Sequence, residues 1–343
     1  MSLIKTFLAK SLSLPWLGKA WECGLCANLF EAGRSISYVE TVGNKADTLH
    51  RYVSFSDENS IKRAYEGQIR KALKTLKIKS VELAIDGKKD LYYGDKGGLC
   101  VRGIKHEHGA EEAWEYVVIS IIHPVKIPLM AVHYYQGADL AKCCIELLEY
   151  AKTLPFNIKR ILFDRGFYNG HLIDYLESNK SGKSLPYLIF VPKNDAIKGY
   201  IAETQGSWKA FQHEIKYPKQ KSTWKIKTNI VICKNVDTNK KGEPYDWAFA
   251  TNLTPSFQLV RDYRRRWNIE TGFRIMEEGK IKTKSNNHLI RLFYFFLRAL
   301  FLVVWQLNKS VGIKITFKKF LRIIEMELRQ YEVYKPPEIM PLY

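Results

Sequence analysis

VELAID, residues 81–86, is an apolar run that ends in an aspartate. Its length and its Val, Leu and Ile content predict a buried strand, and four further runs of the same kind follow it. They are YVVISII (116–122), IPLMAVHYY (127–135), RILFD (160–164) and YLIFV (187–191). Apolar residues at helical spacing from 138 to 151 predict a helix after the third run. The order of these elements along the chain is three strands that can form hairpins, then a helix, then two more strands. This order predicts a mixed α/β sheet.

The chain on either side of this sheet has a different composition. Residues 1–75 combine helical periodicity with many basic residues, which predicts a helical DNA-binding domain or, alternatively, a helical lid on the next domain. Residues 194–252 are rich in lysine and aromatic residues and contain strand-like runs, so we expect a β-rich insertion there. The central α/β domain then comprises residues 76–193 and 253–308, and residues 309–343 are expected to form a C-terminal helix and tail.

The overall composition favours a folded protein that binds polyanions. Hydrophobic residues make up 46% of the 343 residues, which excludes a disordered chain, and 54 Lys and Arg against 35 Asp and Glu leave a net charge of +19. Nucleic acid is the expected partner, with an anionic membrane surface as the competitor. The most apolar stretch, 289–307, contains Arg291 and Arg298, so we expect a buried helix rather than a membrane span. The N-terminus lacks a secretory signal, so we expect a cytoplasmic location.

Two short motifs are weak candidates for metal sites. Cys23-x-x-Cys26 has no second pair to complete four zinc ligands, so we expect these cysteines to pack as apolar residues. His106-Glu-His108 lies in a Gly-rich, charged stretch and has no third ligand in view. We therefore look for catalytic chemistry elsewhere.

Two of the predicted strands end in a carboxylate, Asp86 after VELAI and Asp164 after RILF. Burying an unpaired carboxylate is costly, so this placement favours a shared cation or a basic partner. Asp90 and Asp95 compete with Asp86 for this role, but we expect both to fall after the strand in a Gly-rich turn. Asp86 is the better placed of the three.

A third element, RDYRRRWNIETGFRIMEEGK (261–280), is predicted as one helix. At 100° per residue one face combines aromatic, basic and acidic side chains, which suits a pocket that binds metal, phosphates and a base. The alternative is a solvated helix with i,i+4 salt bridges from Arg266 to Glu270 to Arg274. The residues on this face are Tyr263, Arg266, Trp267, Glu270, Phe273, Arg274 and Glu277.

LAIDG (83–87), LFDRGFY (162–168) and YRRRWNIETGFR (263–274) together resemble the three catalytic blocks of the DDE transposases of bacterial and archaeal insertion sequences. The resemblance is to the group with a Tyr-Arg-Glu-Lys signature, here Tyr263, Arg266 and Glu270. The order of the blocks and the β insertion before the glutamate also match, so the resemblance covers about residues 80–308.

This resemblance implies an RNase H-like fold with a β-rich insertion, and a metal-dependent enzyme that cleaves insertion-sequence ends and joins the 3′-OH to target DNA. The carboxylates of Asp86, Asp164 and Glu270 are expected to bind two Mg²⁺ ions, for which Mn²⁺ can substitute. The expected partners are double-stranded transposon-end and target DNA, bound by a homodimer associated with the nucleoid of a prokaryote. The expected DNA contacts are Tyr263, Arg266, Trp267, Arg274 and Lys280.

One position departs from the signature. Glu277 stands where the signature has a lysine that contacts transposon-end DNA, although Lys280 and Lys282 are close by. Two other interpretations therefore stay open: a metal-dependent DNA nuclease that does not join strands, and an inactive or domesticated relative that only binds DNA.

Overall fold

We describe the chain from a computed structural model, which covers residues 53–94, 98, 100–178, 184–219, 222–238, 242–281, 283, 285–312 and 314–324. The expectations for residues 1–52, for the tail beyond residue 324, and for Asp95 and Lys282 lie outside these described residues.

Nine strands and seven α-helices make up most of the described chain. The strands are β1 Ser80–Tyr92, β2 Arg102–Glu107, β3 Ala110–His123, β4 Ile127–His133, β5 Asn157–Phe163, β6 Tyr187–Phe190, β7 Trp208–Lys219, β8 Ser222–Thr238 and β9 Pro244–Thr251. The helices are α1 Glu58–Leu76, α2 Leu140–Lys152, α3 Gly170–Glu177, α4 Asp195–Glu203, α5 Gln258–Arg264, α6 Trp267–Glu278 and α7 His288–Ser310, and a further helical segment spans 317–324.

The strands form one mixed sheet in the order β2-β3-β1-β5-β6-β9-β8-β7, and β4 pairs with β3. The strand β3 is antiparallel to β1 and to β4, whereas β1, β5 and β6 are mutually parallel. The predicted mixed α/β sheet is confirmed. The order β4-β3-β1-β5-β6, with β3 reversed, is the RNase H-like arrangement that the sequence resemblance implies.

The predicted β-rich insertion continues this sheet instead of forming a separate layer. After the short helix α4, strands β7, β8 and β9 follow one another as antiparallel neighbours. The last of them, β9, pairs antiparallel with β6, with Ile189 opposite Ala250 and Phe190 opposite Phe249. The predicted core and the insertion therefore form one continuous hydrogen-bonded sheet, joined at β6 and β9.

The helix α1 begins at an N-cap, where the Asp57 carboxylate accepts a hydrogen bond from the Ser60 backbone N–H at 2.9 Å. Its buried face packs on α7 and β4: Tyr65 stacks on Phe296 and donates its hydroxyl to the Pro128 carbonyl at 2.7 Å. This helix therefore lies on the core sheet. The proposed domain boundary near residue 75 stays a prediction.

Within the described residues, α7 alone has the length and hydropathy of a membrane-spanning helix, and 83% of its most apolar window is buried inside the protein. Its Arg298 forms two hydrogen bonds with Asp90, at 3.1 and 2.6 Å, in the core. The arginine inside the apolar stretch therefore has a buried partner, as expected for a core helix. The segment 317–324 also packs on its own domain, since Phe317 makes an edge contact with Trp305.

Candidate active site

The sheet brings the two predicted aspartates side by side. Ile85 on β1 is paired with Phe163 on the parallel strand β5, and the next residues along the two strands are Asp86 and Asp164. The strand β1 does not end at Asp86, as the apolar run suggested, but continues to Tyr92 by pairing with β3. The carboxylates thus lie where the parallel neighbour stops.

This continuation corrects the expectation for Asp90, which lies within β1 opposite Trp114 and not in a turn. The residues after Asp86 are polar and carry no apolar signal, so only the ladder to β3 reveals the strand. We still prefer Asp86 as the first carboxylate, but for a different reason. Asp86 pairs with Arg266, which also binds Glu270, whereas Asp90 pairs with Arg298 and Lys280.

The predicted continuous helix 261–280 is wrong, because α5 ends at Arg264 and α6 begins at Trp267. Around the break the Arg266 N–H bonds to the Tyr263 carbonyl at 2.8 Å, three residues back, which tightens the turn. Two consecutive arginines then reach the same strand: Arg265 binds Glu82 at 2.5 Å and Arg266 binds Asp86 at 2.7 Å. These ion pairs explain a break that no Gly or Pro announces.

Arg266 links the first and third predicted carboxylates. Its guanidinium donates to Asp86 Oδ2 at 2.7 Å and to Glu270 Oε1 at 2.5 Å, and the side chain is buried. The Arg266–Glu270 pair of the alternative interpretation is therefore present, but inside a site and not on a solvated helix face. One cation here offsets two carboxylates.

Tyr263 approaches the second carboxylate. Its ring packs against Phe190 at 5.5 Å and Phe249 at 5.1 Å between centroids, and its hydroxyl donates to Asp164 Oδ1 at 3.4 Å. Burial raises the pKa of the Tyr263 hydroxyl, so this group stays a neutral donor. The aromatic residues of β6 and β9 thus orient a hydrogen-bond donor toward Asp164.

The electrostatics of Asp86 are unusual for an aspartate. Burial raises the pKa of its carboxyl to about 6 from the ordinary value of 3.8, although Arg266 and the Gly87 N–H act in the opposite direction. The charges of Asp164 and Glu270 raise the pKa further. The three carboxylates therefore repel one another, which is the condition that a bound cation relieves.

A cleft of about 480 Å³ opens beside Asp164 and Arg266. The insertion contributes Tyr245 and Trp247 to the lining of this cleft. Trp267, whose side chain is 51% exposed, also lines the cleft.

Comparison with known proteins identifies the domain. Residues 141–302 match the family model described as "Transposase DDE domain". This part of the chain is a transposase DDE domain. The family prediction and the enzyme prediction are confirmed, and the chain is an enzyme of the DNA transposition class.

A solved structure has a similar fold. It is a cryo-EM structure of the piggyBac transposase synaptic complex with hairpin DNA, and it is similar with a TM-score of 0.59 and 13% sequence identity. The alignment covers 100% of this chain and 84% of the other. No curated protein matches the sequence.

The donor chemistry of the DDE domain fits a hard divalent cation, since carboxylate oxygens are the ligands that Mg²⁺ prefers. The described residues contain no group of three or more His, Cys, Asp or Glu side chains arranged to hold one ion. Arg266 lies between Asp86 and Glu270 instead, and it supplies the positive charge there. Asp86 and Glu270 would hold a divalent ion only with Arg266 moved away from them.

The other predicted DNA contacts of the DDE domain fall into two places. Trp267 and Arg274 are exposed on α6 on either side of Glu270, which is itself exposed. Lys280 lies beyond the helix end, 3.2 Å from Asp90 and 3.0 Å from Glu277. Phe273, from the same predicted face, is buried in the core.

Proposed function

We propose that this transposase cleaves the ends of an insertion sequence and joins the liberated 3′-OH to target DNA. The observation that carries the proposal is the convergence of Asp86, Asp164 and Glu270 on the Tyr263–Arg266 turn. Hydrolysis at the element end gives a 3′-OH, and attack of this hydroxyl on a target phosphodiester forms one P–O bond and breaks another.

The three carboxylates would hold two Mg²⁺ ions, with Mn²⁺ as a substitute. Such a pair supplies activation of the attacking oxygen and stabilisation of the leaving oxygen. The chain's own part begins with Arg266: once it leaves Asp86, its planar guanidinium can bind the scissile phosphate through two N–H groups. Tyr263 keeps a neutral hydroxyl beside Asp164, and this hydroxyl would turn its single proton from Asp164 to the phosphate.

The DNA would extend from the carboxylates along α6 and into the aromatic cleft. Trp267 is exposed at the cleft and is placed to stack on an unpaired base. Arg274 and Lys280 would bind backbone phosphates further along. Since phosphate contacts dominate affinity for DNA, these residues would contribute binding and little sequence preference.

The expected substrate is a pair of transposon ends held together by a homodimer, followed by target DNA. The similar piggyBac structure is a synaptic complex with hairpin DNA, which supports an assembly on paired ends here. We keep the nucleoid of a prokaryotic cell as the proposed location.

The test is a Mg²⁺-dependent cleavage assay on a labelled duplex that carries the DNA flanking this gene. We expect nicking at the element end by the wild type and none by Asp164→Asn. The matched control is Asp195→Asn, because Asp195 is an exposed aspartate at the start of α4. This control should cleave like the wild type.

A second assay with a supercoiled target plasmid separates the three interpretations. Joined products support the transposase, and cleavage without joining indicates a nuclease. Binding without cleavage, in Mg²⁺ and in Mn²⁺, would overturn the proposal in favour of a DNA-binding relative.

A further inference from the structure

The position that departs from the transposase signature belongs to a cluster of five charged side chains, which we call the Glu277 cluster. Lys88 on β1 lies 2.8 Å from Glu277 on α6, and Lys280 lies 3.0 Å from the same carboxylate. Asp90 and Arg298 complete the cluster on its buried side, and the Arg298 guanidinium is 3.6 Å from the Glu277 carboxylate. Three cations thus face two carboxylates.

The cluster has a buried half and an accessible half. The Asp90 and Arg298 side chains are only 12% and 2% exposed, and they bind each other through two hydrogen bonds. This pair joins β1 to α7 and is structural. The side chains of Lys88, Lys280 and Glu277 reach the surface at 17%, 31% and 42% exposure.

The accessible half lies next to the catalytic carboxylates. Side chains two apart on a strand share a face, so Lys88 lies about 7 Å along β1 from Asp86 and points toward the same helix. On α6, Glu277 follows Glu270 by about two turns, or ~10 Å. A DNA strand that places a phosphate at Asp86 therefore passes Lys88 with one of its neighbouring phosphates.

We propose that Lys88 is a DNA-binding residue that contacts a phosphate next to the scissile one, and that Glu277 positions it. An exposed glutamate beside DNA would repel phosphates if it stood alone. Here its charge is balanced by Lys88 and Lys280, and the cluster keeps a surplus of one positive charge. An ammonium has three N–H donors, so Lys88 can hold Glu277 and a phosphate together. Lys88 on β1 thus supplies a positive charge beside Glu277 on α6.

This inference rests on the proposed function, so its test measures binding without cleavage. The full chain is titrated with the element-end duplex in EDTA at several salt concentrations. We expect Lys88→Ala to weaken binding about tenfold and to lower the slope of log Kd against log salt by about one. Lys88→Arg should keep the wild-type slope, and thermal unfolding confirms that each variant is folded.

The matched control is Lys89→Ala, since Lys89 is the next residue of β1 and points to the opposite face. It should leave the salt slope unchanged. An equal loss of slope in both variants, or no loss in either, would overturn the inference. If the wild type does not cleave the duplex, by contrast, the proposed function fails while the inference about Lys88 is unaffected.

A charge exchange tests the positioning by Glu277. Lys88→Glu should bind DNA more weakly than Lys88→Ala, because it places two acids beside the phosphate. Adding Glu277→Lys to Lys88→Glu restores the ion pair with its polarity reversed, and we expect it to recover most of the lost affinity. No recovery, with both variants folded, would contradict the pairing of Lys88 with Glu277 at the DNA.

Discussion

Single residues of the site illustrate a conflict between stability and function, and Asp86 shows it most directly. Its pKa is raised to about 6 by burial, so the folded state disfavours the charged carboxylate that a divalent ion requires. The stabilisation from this group is complete below its ordinary pKa of 3.8 and is lost as the pH rises through about 6.

Asp86→Asn should therefore stabilise the metal-free protein at pH 7.5, by on the order of 2 kcal/mol. The gain should disappear near pH 4, where the wild-type carboxyl is protonated. Urea unfolding in EDTA at the two pH values measures the effect, with Asp195→Asn as the exposed control. A less stable variant at pH 7.5 would mean that the ion pair with Arg266 outweighs the cost of burial.

We expect Arg266 to compete with divalent ions for the carboxylates in the absence of DNA. Because its guanidinium lies on both Asp86 and Glu270, Arg266→Gln should raise the affinity of the free protein for Mn²⁺ by about tenfold at pH 8. Titration followed by electron paramagnetic resonance gives the constant directly. Arg264→Gln, a neighbouring exposed arginine, should not change it, and a weaker Mn²⁺ affinity in Arg266→Gln would refute the competition.

At the scale of elements, the contact between α3 and β7 fixes the insertion against the core. A Cβ at Gly170 would lie 2.6 Å from Tyr217 Cβ, so the two elements approach too closely for any side chain. Gly170→Ala should destabilise the protein by about 1–3 kcal/mol. In contrast, Gly199 in α4 has open space around it, and Gly199→Ala should stabilise by up to about 1 kcal/mol. Urea denaturation of the two variants compares them, and equal effects would exclude the steric explanation.

The pair Asp90–Arg298 links β1 to the core helix α7. Burial alone would raise the pKa of Asp90, but Arg298, Lys280 and Lys88 lower it to about 2, so its contribution is present above pH 3.8 and is lost only as the pH falls through about 2. Asp90→Asn leaves a buried cation without its partner and should cost about 3–5 kcal/mol. Arg298→Met in addition should recover much of this loss in chemical denaturation, and an additive double variant would contradict the pairing.

Elements that have an apolar run or a capping residue were predictable from the sequence. The second half of β1 and the break between α5 and α6 have neither and were not predictable. The strand cores of β1, β3, β4, β5 and β6 are continuous apolar runs, and α1 has its cap at Asp57. The second half of β1 is held by its ladder to β3, and the arginines at the break between α5 and α6 form ion pairs with residues at least 180 positions away, such as Arg265–Glu82. The motif spacing indicated Asp86 and Glu270 as candidate site carboxylates. That the Arg266 guanidinium binds both of them follows only from the fold.

The whole molecule carries a net charge of +19. We expect this charge to make its affinity for DNA strongly dependent on salt concentration. Such a protein should bind any duplex at low salt, so specific recognition of the element ends is measurable only at higher salt. We expect the full chain to form a complex of two protein copies with two end duplexes at 150–200 mM salt, roughly the physiological range. Light scattering of the purified complex gives the mass, and a complex of one copy with one duplex would exclude the homodimer.

The ladder between β6 and β9 has a consequence for evolution and for engineering. Because Phe190 is paired with Phe249, the insertion cannot be exchanged between relatives as an independent cassette. A graft that shifts β9 by one residue would turn Trp247 and Phe249 to the opposite face of the sheet and remove the ring contacts that orient Tyr263. Recombinants between transposases should therefore stay active only where the crossover keeps this register, and lineages would diversify the hairpin of β7 and β8 while holding β9 constant.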